Sequence, residues 1–296
     1  MVGNLHLWGF KGKPNLVSPE SIALFWLLSS QKCNKKICIV FSNNTDLSPN
    51  GELPVLIEEG QSIYGYGNIA QYLFEQESAL ETALLEFAQT QICALTQYQL
   101  YLERENYEQF TRKVFAHLLQ WPYWYNTPLR YRALARKKCE KLKYLSHPDD
   151  EESDENVAVE EMTQSSVLKL SSRAKSRGRE LLADTRHSVQ YLSELGEQLK
   201  TWLEARGRLN KEVIAADFLL WANLHVQLTL PRGQRIGDYL HEFLGAEAYQ
   251  EIQEQLRRCD KLACSLDQRP PNFAENGNPL MSTYAAVQKV WSLYVV

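Results

Sequence analysis

The residue types that most often carry chemistry are few and widely spaced in this chain. Its six cysteines include no C-x-x-C pair. Two pairs, Cys33/Cys38 and Cys259/Cys264, share an x4 spacing that is wider than the usual spacing of structural zinc ligands. Its six histidines form no HExxH motif or other close metal-binding pair. We therefore expect no bound metal, no disulfide framework and reduced thiols.

The segment after the first predicted strand is where a thioredoxin carries its low-pKa thiolate, at a helix N-terminus. Residues 9–18 contain no cysteine, so redox catalysis is not expected. Ser18 supplies the only hydroxyl there, and it precedes Pro19 and Glu20 as the N-cap of a helix would. Residues 65–70 match a loose GxGxxA motif, but no βαβ unit supports a phosphate site. The chain also has no P-loop and no GxSxG, so we predict no catalytic residue and no cofactor.

The composition indicates a globular chain of two domains or one large one. The length is 296 residues, with 44% hydrophobic and 23% charged residues. The net charge of −4 gives no electrostatic reason to expect a nucleic-acid partner. No targeting presequence and no run of about 18 uncharged apolar residues is found, so any membrane attachment is expected to be peripheral.

The first 76 residues carry the elements that would position a site. An alternating strand over 4–10 precedes a buried helix from Ser18 and an apolar strand over 37–41. Residues 53–64 then read as two strands around a turn, and a helix follows near Asn68. The order β-α-β-β-β-α predicts a thioredoxin-like domain over residues 1–76.

From residue 77 to 296 the patterns predict an all-helical domain. It includes a basic helix from Arg130, and a loop is expected over 268–279. An acidic run at 149–155 opens a segment too polar to fold, so we expect a flexible insert over 148–176 and helices again from about Arg179. A final helix carries one apolar face that would meet a partner or the membrane surface, or pack against its own domain. Its residues are Leu280, Tyr284, Val287, Trp291 and Tyr294.

This two-domain plan resembles the glutathione-transferase fold, an α+β architecture. In that family a Glu-Ser pair precedes the helix that corresponds to residues 69–73. The serine hydroxyl and the N-terminus of the helix hold a carboxylate of glutathione. Gly65 and Tyr66 align with that pair, so a ring replaces the anion-binding hydroxyl. The family's Ser/Thr-x-x-Asp capping motif is also altered, because Asp217 matches the acid while Ile214 replaces the hydroxyl.

Pro54 and Asp217 are the structural residues that the resemblance singles out. Proline cannot donate to a sheet ladder, so Pro54 should open its strand. In the thioredoxin-like folds that the chain resembles, this proline follows a cis peptide bond. The resemblance therefore predicts a cis Leu53–Pro54 bond.

A narrower resemblance covers nearly the whole chain. Several segments are similar to the metaxin family, and most closely to its fungal members in the sorting and assembly machinery (SAM complex) of the mitochondrial outer membrane. These segments are Leu7–Gly9, Ser18–Leu24, Val40–Ser48, Leu53–Ile57, Trp124–Leu129 and Ala222–Leu228.

The resemblance implies a non-catalytic subunit that is peripheral on the cytosolic face of that membrane. It would assist insertion, folding and release of β-barrel precursors. The implied partners are a second metaxin-like subunit, the membrane-embedded barrel subunit, the general import translocase and the precursors themselves. Two alternatives remain open, a glutathione-dependent transferase-like enzyme and a transferase-like docking domain of a cytosolic complex.

Overall fold

The computed structural model describes residues 2–31, 33, 35–74, 78–140, 166–209, 213–262 and 266–277; for residues 140 and 166–184 only the backbone is described. The strands are β1 (Val2–His6), β2 (Gly9–Phe10), β3 (Lys13–Pro14), β4 (Lys36–Val40), β5 (Val55–Glu58), β6 (Gln61–Tyr64) and β7 (Asp267–Arg269). The first helices are α1 (Pro19–Ser30), α2 (Tyr66–Leu73), α3 (Ala79–Phe87), α4 (Cys93–Gln97), α5 (Arg104–Asn106) and α6 (Arg112–Leu118). The later helices are α7 (Tyr123–Glu140), α8 (Ser166–Arg206), α9 (Ala215–Thr229), α10 (Gly233–Leu244) and α11 (Ala246–Asp260).

The N-terminal sheet has the order β6-β5-β1-β4-β7. β1 pairs in parallel with β4 and antiparallel with β5, and β5 pairs antiparallel with β6. The central strands are covered on both faces, and Leu5 and Ile39 are fully buried. Helical residues occupy most of the chain from Ala79 to Asp260. The chain therefore has the predicted α+β fold, glutathione-transferase-like, with a mixed sheet followed by helices.

Helix α1 begins as the sequence predicts. Ser18 is its N-cap, and the Ser18 hydroxyl accepts a hydrogen bond of 3.2 Å from the backbone N–H of Ser21. The helix is buried nearly all round because it packs against α2 on one side and α9 on another. Helix α9 is the centre of the helical part, with Leu219, Leu224 and Val226 fully buried. The contact between α1 and α9 joins the sheet domain to the helical domain.

The Leu53–Pro54 peptide bond is cis, as predicted. Pro54 is buried directly before β5, and its carbonyl oxygen accepts a 3.1 Å hydrogen bond from the N–H of Gly65. Gly65 has a φ of +81°, which a residue without a Cβ adopts readily, and it is the N-cap of α2. This corner places the first turn of α2 beside the start of α1.

The prediction of a loop over 268–279 is wrong at its start. Residues Asp267–Arg269 form β7, a parallel edge strand beside β4, with Arg269 opposite Val40. An edge strand of three polar residues has no alternating apolar pattern, because its side chains face solvent and only its backbone pairs. The chain thus returns from the helical domain to complete the sheet in which it began.

Helix α8 begins at Ser166, earlier than the expected return of helices near Arg179 and inside the segment predicted as a flexible insert. The acidic residues all precede Ser166, and the stretch that follows contains leucines, lysine and arginine, which favour helix. Residues 148–165 lie outside the described residues. The same holds for the final helix face from Leu280 to Tyr294.

The predicted basic helix begins earlier than expected, at Tyr123 rather than Arg130, and Pro128 lies inside it. Helix α7 therefore includes most of the aromatic segment that follows Trp121. It packs against α6, and the cis Trp121–Pro122 bond lies in the connection between the two helices.

Candidate functional site

The place where the transferase fold holds its ligand is the start of α2, next to the N-terminus of α1. Tyr66, the residue in the position of the anion-binding hydroxyl, is fully buried. Its phenol donates a 2.6 Å hydrogen bond to the carbonyl oxygen of Ala215, at the first residue of α9. The ring therefore fills the position and spans from the sheet domain to the helical domain.

A carboxylate of the chain itself lies at the position where the ligand's carboxylate would bind. Glu20, in the first turn of α1, lies close enough to the backbone N–H of Tyr66, at the start of α2, for that N–H to lower the pKa of its carboxyl. A helix N-terminus is a ready anion site because its first N–H groups have no partner within the helix. Here the chain's own carboxyl group lies beside one of those donors.

The charge state of Glu20 follows from its surroundings. The pKa of the Glu20 carboxyl is raised to about 7, and burial is the largest cause. Nearby Lys138 and the N–H of Tyr66 act in the opposite direction, and Glu52 raises the pKa further. The Lys138 Nζ lies 3.8 Å from the Glu52 Oε1, so that pair covers the outer side of the carboxyl group. The result is a half-buried acid at the remnant site that titrates near neutral pH.

A small cavity of about 30 Å³ adjoins Glu20. Two of its lining oxygens, Gln97 Oε1 and Asn223 Oδ1, are buried and have no hydrogen-bond partner among the described residues. Since one water needs about 10–15 Å³ by this measure, the cavity has room for about two water molecules. A tripeptide such as glutathione does not fit in this space.

Cys93 is the thiol that lines this cavity, and it is buried. Burial raises its pKa to about 12, and the Nδ2 of Asn223 lies 3.3 Å from its sulfur. Burial also raises the pKa values of Cys139 and Cys259 to about 12. Since the thiolate is the nucleophile and the metal ligand, these three thiols are poor candidates for either role. Among the described residues no group of His, Cys, Asp or Glu side chains is placed to hold a metal ion.

Asp217, the second structural residue singled out from the sequence, holds the start of α9. Its carboxylate accepts a 2.9 Å hydrogen bond from the backbone N–H of Ile214, so one half of the capping motif survives the loss of the hydroxyl. The same carboxylate also accepts from the guanidinium of Arg206, with Nε–Oδ1 at 2.8 Å and Nη2–Oδ2 at 2.9 Å. The side chain of Asp217 is only 5% exposed, so this is a nearly buried, two-pronged ion pair.

Sequence reasoning identified Pro54, Tyr66 and Asp217 but missed Glu20 as an occupant of the site, and it missed Arg206 as the partner of Asp217. Glu20 follows the Ser-Pro signal of a helix start, where an acid is expected for its effect on the helix dipole alone. Arg206 is the last residue of α8 and gives no pattern that points to α9. Both roles depend on how α1, α2, α8 and α9 come together.

Two family models match the chain. The model described as "outer mitochondrial membrane transport complex protein" (Tom37) matches residues 21–132, and the model of the Tom37 C-terminal domain matches residues 146–290. The chain belongs to the Tom37 family. This agrees with the resemblance to fungal metaxins, because the Sam37/Mas37 metaxin-like proteins are this family.

Membership in the Tom37 family makes the protein part of an outer mitochondrial membrane transport complex. The matched ranges take in both the sheet domain from α1 onward and the helical domain, so the assignment does not depend on one motif.

A search among curated proteins gives no match. In the described ranges, no helix is both long enough and apolar enough to cross a bilayer.

Proposed function

We propose that this Tom37-family protein is a non-catalytic subunit of the sorting and assembly machinery, acting from the cytosolic face of the outer membrane on β-barrel precursors. One observation carries the non-catalytic part of the proposal. The transferase scaffold is intact, with its cis Leu53–Pro54 bond and the N-terminus of α2, while the buried ring of Tyr66 stands in the position of the anion-binding hydroxyl and Glu20 lies beside it.

Because the ligand position is filled, the described part of the scaffold has no ligand cleft there and presents its outer surfaces for binding. The buried Tyr66–Ala215 bond makes the former cleft a fixed junction between the domains. A rigid junction suits a protein whose outer surfaces bind other proteins. The partners on this proposal are a second metaxin-like subunit and the membrane-embedded barrel subunit, with contacts to the import translocase and to precursors.

The proposal is tested in the host cell by removing the protein and following newly imported barrel proteins. Assembled barrel complexes on native gels should fall several-fold, while import of matrix proteins should change much less. Cell fractionation should place the protein with mitochondria, and carbonate should extract it. Normal barrel assembly without the protein would overturn the proposal, as would recovery in the cytosol.

The enzyme alternative has its own test. Titration of glutathione in a calorimeter should give no binding heat, because the ring of Tyr66 stands in the position of the anion-binding hydroxyl and Glu20 lies beside the N–H that a ligand carboxylate would need. Conjugating activity toward an electrophilic aromatic substrate should stay at the uncatalysed rate. Saturable binding together with turnover would favour the transferase reading and count against a non-catalytic subunit.

A further inference from the structure

The hairpin of α6 and α7 differs in charge from the rest of the chain. Between Arg112 and Cys139 the sequence contains seven lysines and arginines and no aspartate or glutamate, although the whole chain has a net charge of −4. A positive segment in an acidic chain produces a local positive potential on one part of the surface. The hairpin is therefore a place where a negatively charged partner would be attracted.

An exposed apolar stripe runs along the same hairpin. Trp121, at the connection, is 74% exposed, Tyr125 is 51% exposed and Leu129 is 44% exposed. Tyr125 and Leu129 are spaced i and i+4, so they lie on one side of α7, and Trp121 precedes that helix in the connection from α6. Nothing in the described residues covers them. Large apolar side chains grouped on one helix face mark an interaction surface, unlike single exposed residues.

Several basic residues of the hairpin already have partners within the chain. Arg130 donates to Gly51 and Thr45, and Arg132 lies over the ring of Tyr107. These contacts anchor α7 to the body of the protein.

Two further basic residues of α7, Arg136 and Lys137, are exposed and form no ion pair with a described residue. On α6, Arg112 and Lys113 are exposed in the same way. Four exposed positive side chains of the hairpin are thus available to an outside partner.

Tryptophan and tyrosine beside arginine and lysine match one kind of partner best. Indole and phenol rings prefer the headgroup level of a bilayer, because they present an apolar body and a polar tip. Lysine and arginine are attracted to anionic headgroups. An acidic protein surface would satisfy the charges, but it would leave the stripe's exposed tryptophan without an apolar environment. The combination is that of a helix lying in a membrane interface.

We propose that the aromatic-basic face, formed by Trp121, Tyr125, Leu129, Arg136 and Lys137, docks on an anionic lipid surface. Trp121 enters the headgroup layer at the tip of the hairpin, and the basic residues contact lipid phosphates along α7. This inference uses the outer-membrane location of the family but not the role in β-barrel assembly. Vesicle binding by the purified protein tests the surface, and barrel assembly in cells tests the function, so the two can fail separately.

The test is co-sedimentation of the purified full chain with vesicles. Phosphatidylcholine vesicles containing about 30 mol% phosphatidylserine are compared with pure phosphatidylcholine vesicles. We expect binding to the anionic vesicles that weakens as salt is raised, and little binding to the neutral ones. The double variant Arg136→Gln/Lys137→Gln should bind roughly 30-fold more weakly, since each neutralised charge near the surface accounts for about a factor of five.

The apolar part of the face is tested with Trp121→Ala/Tyr125→Ala, which should weaken vesicle binding by about tenfold or more. Matched controls change the same kinds of groups elsewhere. Arg257→Gln/Arg258→Gln removes two exposed charges from α11, and Val189→Ala shortens an exposed apolar residue of α8. Both controls should bind as the parent chain does. All these side chains are exposed, so unchanged circular dichroism should show that each variant is folded.

Three results would overturn the proposal. The parent chain could fail to bind anionic vesicles, which would assign the face to a protein partner. The face variants could bind as well as the parent chain, which would place lipid binding elsewhere. The charge control on α11 could lose as much binding as the face variant, which would reduce the effect to net charge alone.

Discussion

The hydroxyl of Tyr66 lies 2.6 Å from the carbonyl oxygen of Ala215, although 149 positions separate the two residues in the chain. The bond joins the first residue of α2 to the first residue of α9. It lies where a transferase would hold its ligand, so the site that distinguishes an enzyme has become part of the contact between domains.

Replacing Tyr66 by phenylalanine should destabilise the protein by about 1 kcal/mol, because the ring stays buried while one hydrogen bond is lost. The free energy of unfolding in urea measures this. Tyr72→Phe is the control, since its hydroxyl bonds to Glu58 on an exposed surface. The control should change stability by less than about 0.5 kcal/mol. Equal effects of the two variants would mean that the bond to Ala215 contributes no more than a surface contact.

Asp217→Asn should destabilise the protein by about 3 kcal/mol, because the guanidinium of Arg206 loses its charged partner in a nearly buried position. The amide oxygen can still accept from the N–H of Ile214, so the loss reports mainly on the ion pair. Chemical denaturation measures it. Glu108→Gln breaks the exposed pair with Arg104 and should cost no more than about 0.5 kcal/mol. A small loss at Asp217 would show that solvent replaces the partner there.

Glu20 should make stability depend on pH between about 4.5 and 7. Burial raises its folded-state pKa to about 7 from 4.5, so the folded protein holds a proton that the unfolded chain releases. The contribution is fully present below pH 4.5 and is lost as pH rises through 7. It amounts to about 3 kcal/mol if the whole shift is expressed.

Glu20→Gln should remove this dependence, which is measured as the difference in unfolding free energy between the variant and the parent chain across that pH range. Glu59→Gln, which changes an exposed glutamate in the turn between β5 and β6, should leave the profile unchanged. A parallel pair of profiles for Glu20→Gln and the parent chain would show that the pKa of Glu20 is the same in the folded and unfolded states.

The segment that follows β7 should loosen in acid. The Arg269 guanidinium holds the pKa of the Glu275 carboxyl at about 2, with two contacts of 2.6 Å. A lowered pKa stabilises the fold above the unfolded value near 4.5, and the benefit is lost as pH falls from there through 2. The protection factors for hydrogen exchange at residues 267–269, which correct for the intrinsic pH dependence of exchange, should therefore fall over that interval.

Glu275→Gln should produce the faster exchange of residues 267–269 already at pH 7. Exchange in β5, on the other side of the sheet, serves as the internal reference and should not change. If β5 and β7 responded equally, the pair would be stabilising the whole domain and not this edge.

Much of the sheet domain was predictable because local signals and packing agree there. Ser18 caps α1 and Pro54 precedes β5 with a cis bond, each as the sequence indicated. The sequence also indicated that Tyr66 removes an anion-binding hydroxyl. What it did not reveal is where the phenol would find a partner, since Ala215 supplies only a backbone oxygen.

The unpredicted features depend on backbone pairing or on distant elements. β7 consists of three polar residues whose strand conformation comes from pairing with β4 and not from any pattern of their own. The contact of Glu20 with the N–H of Tyr66 needs the relative placement of α1 and α2. Arg206 reaches Asp217 across the junction of α8 and α9. In each case the information lies in the assembled fold and not in a local stretch.

The position of β7 has a consequence for synthesis of the protein on the ribosome. β4 ends at Val40, but the strand that covers its outer edge ends at Arg269. The nascent chain therefore carries an uncovered sheet edge for roughly ten to fifty seconds, at about 5–20 residues per second. An open strand edge invites pairing with other chains. Translation speed through the helical half thus sets how long the emerging protein is exposed to aggregation.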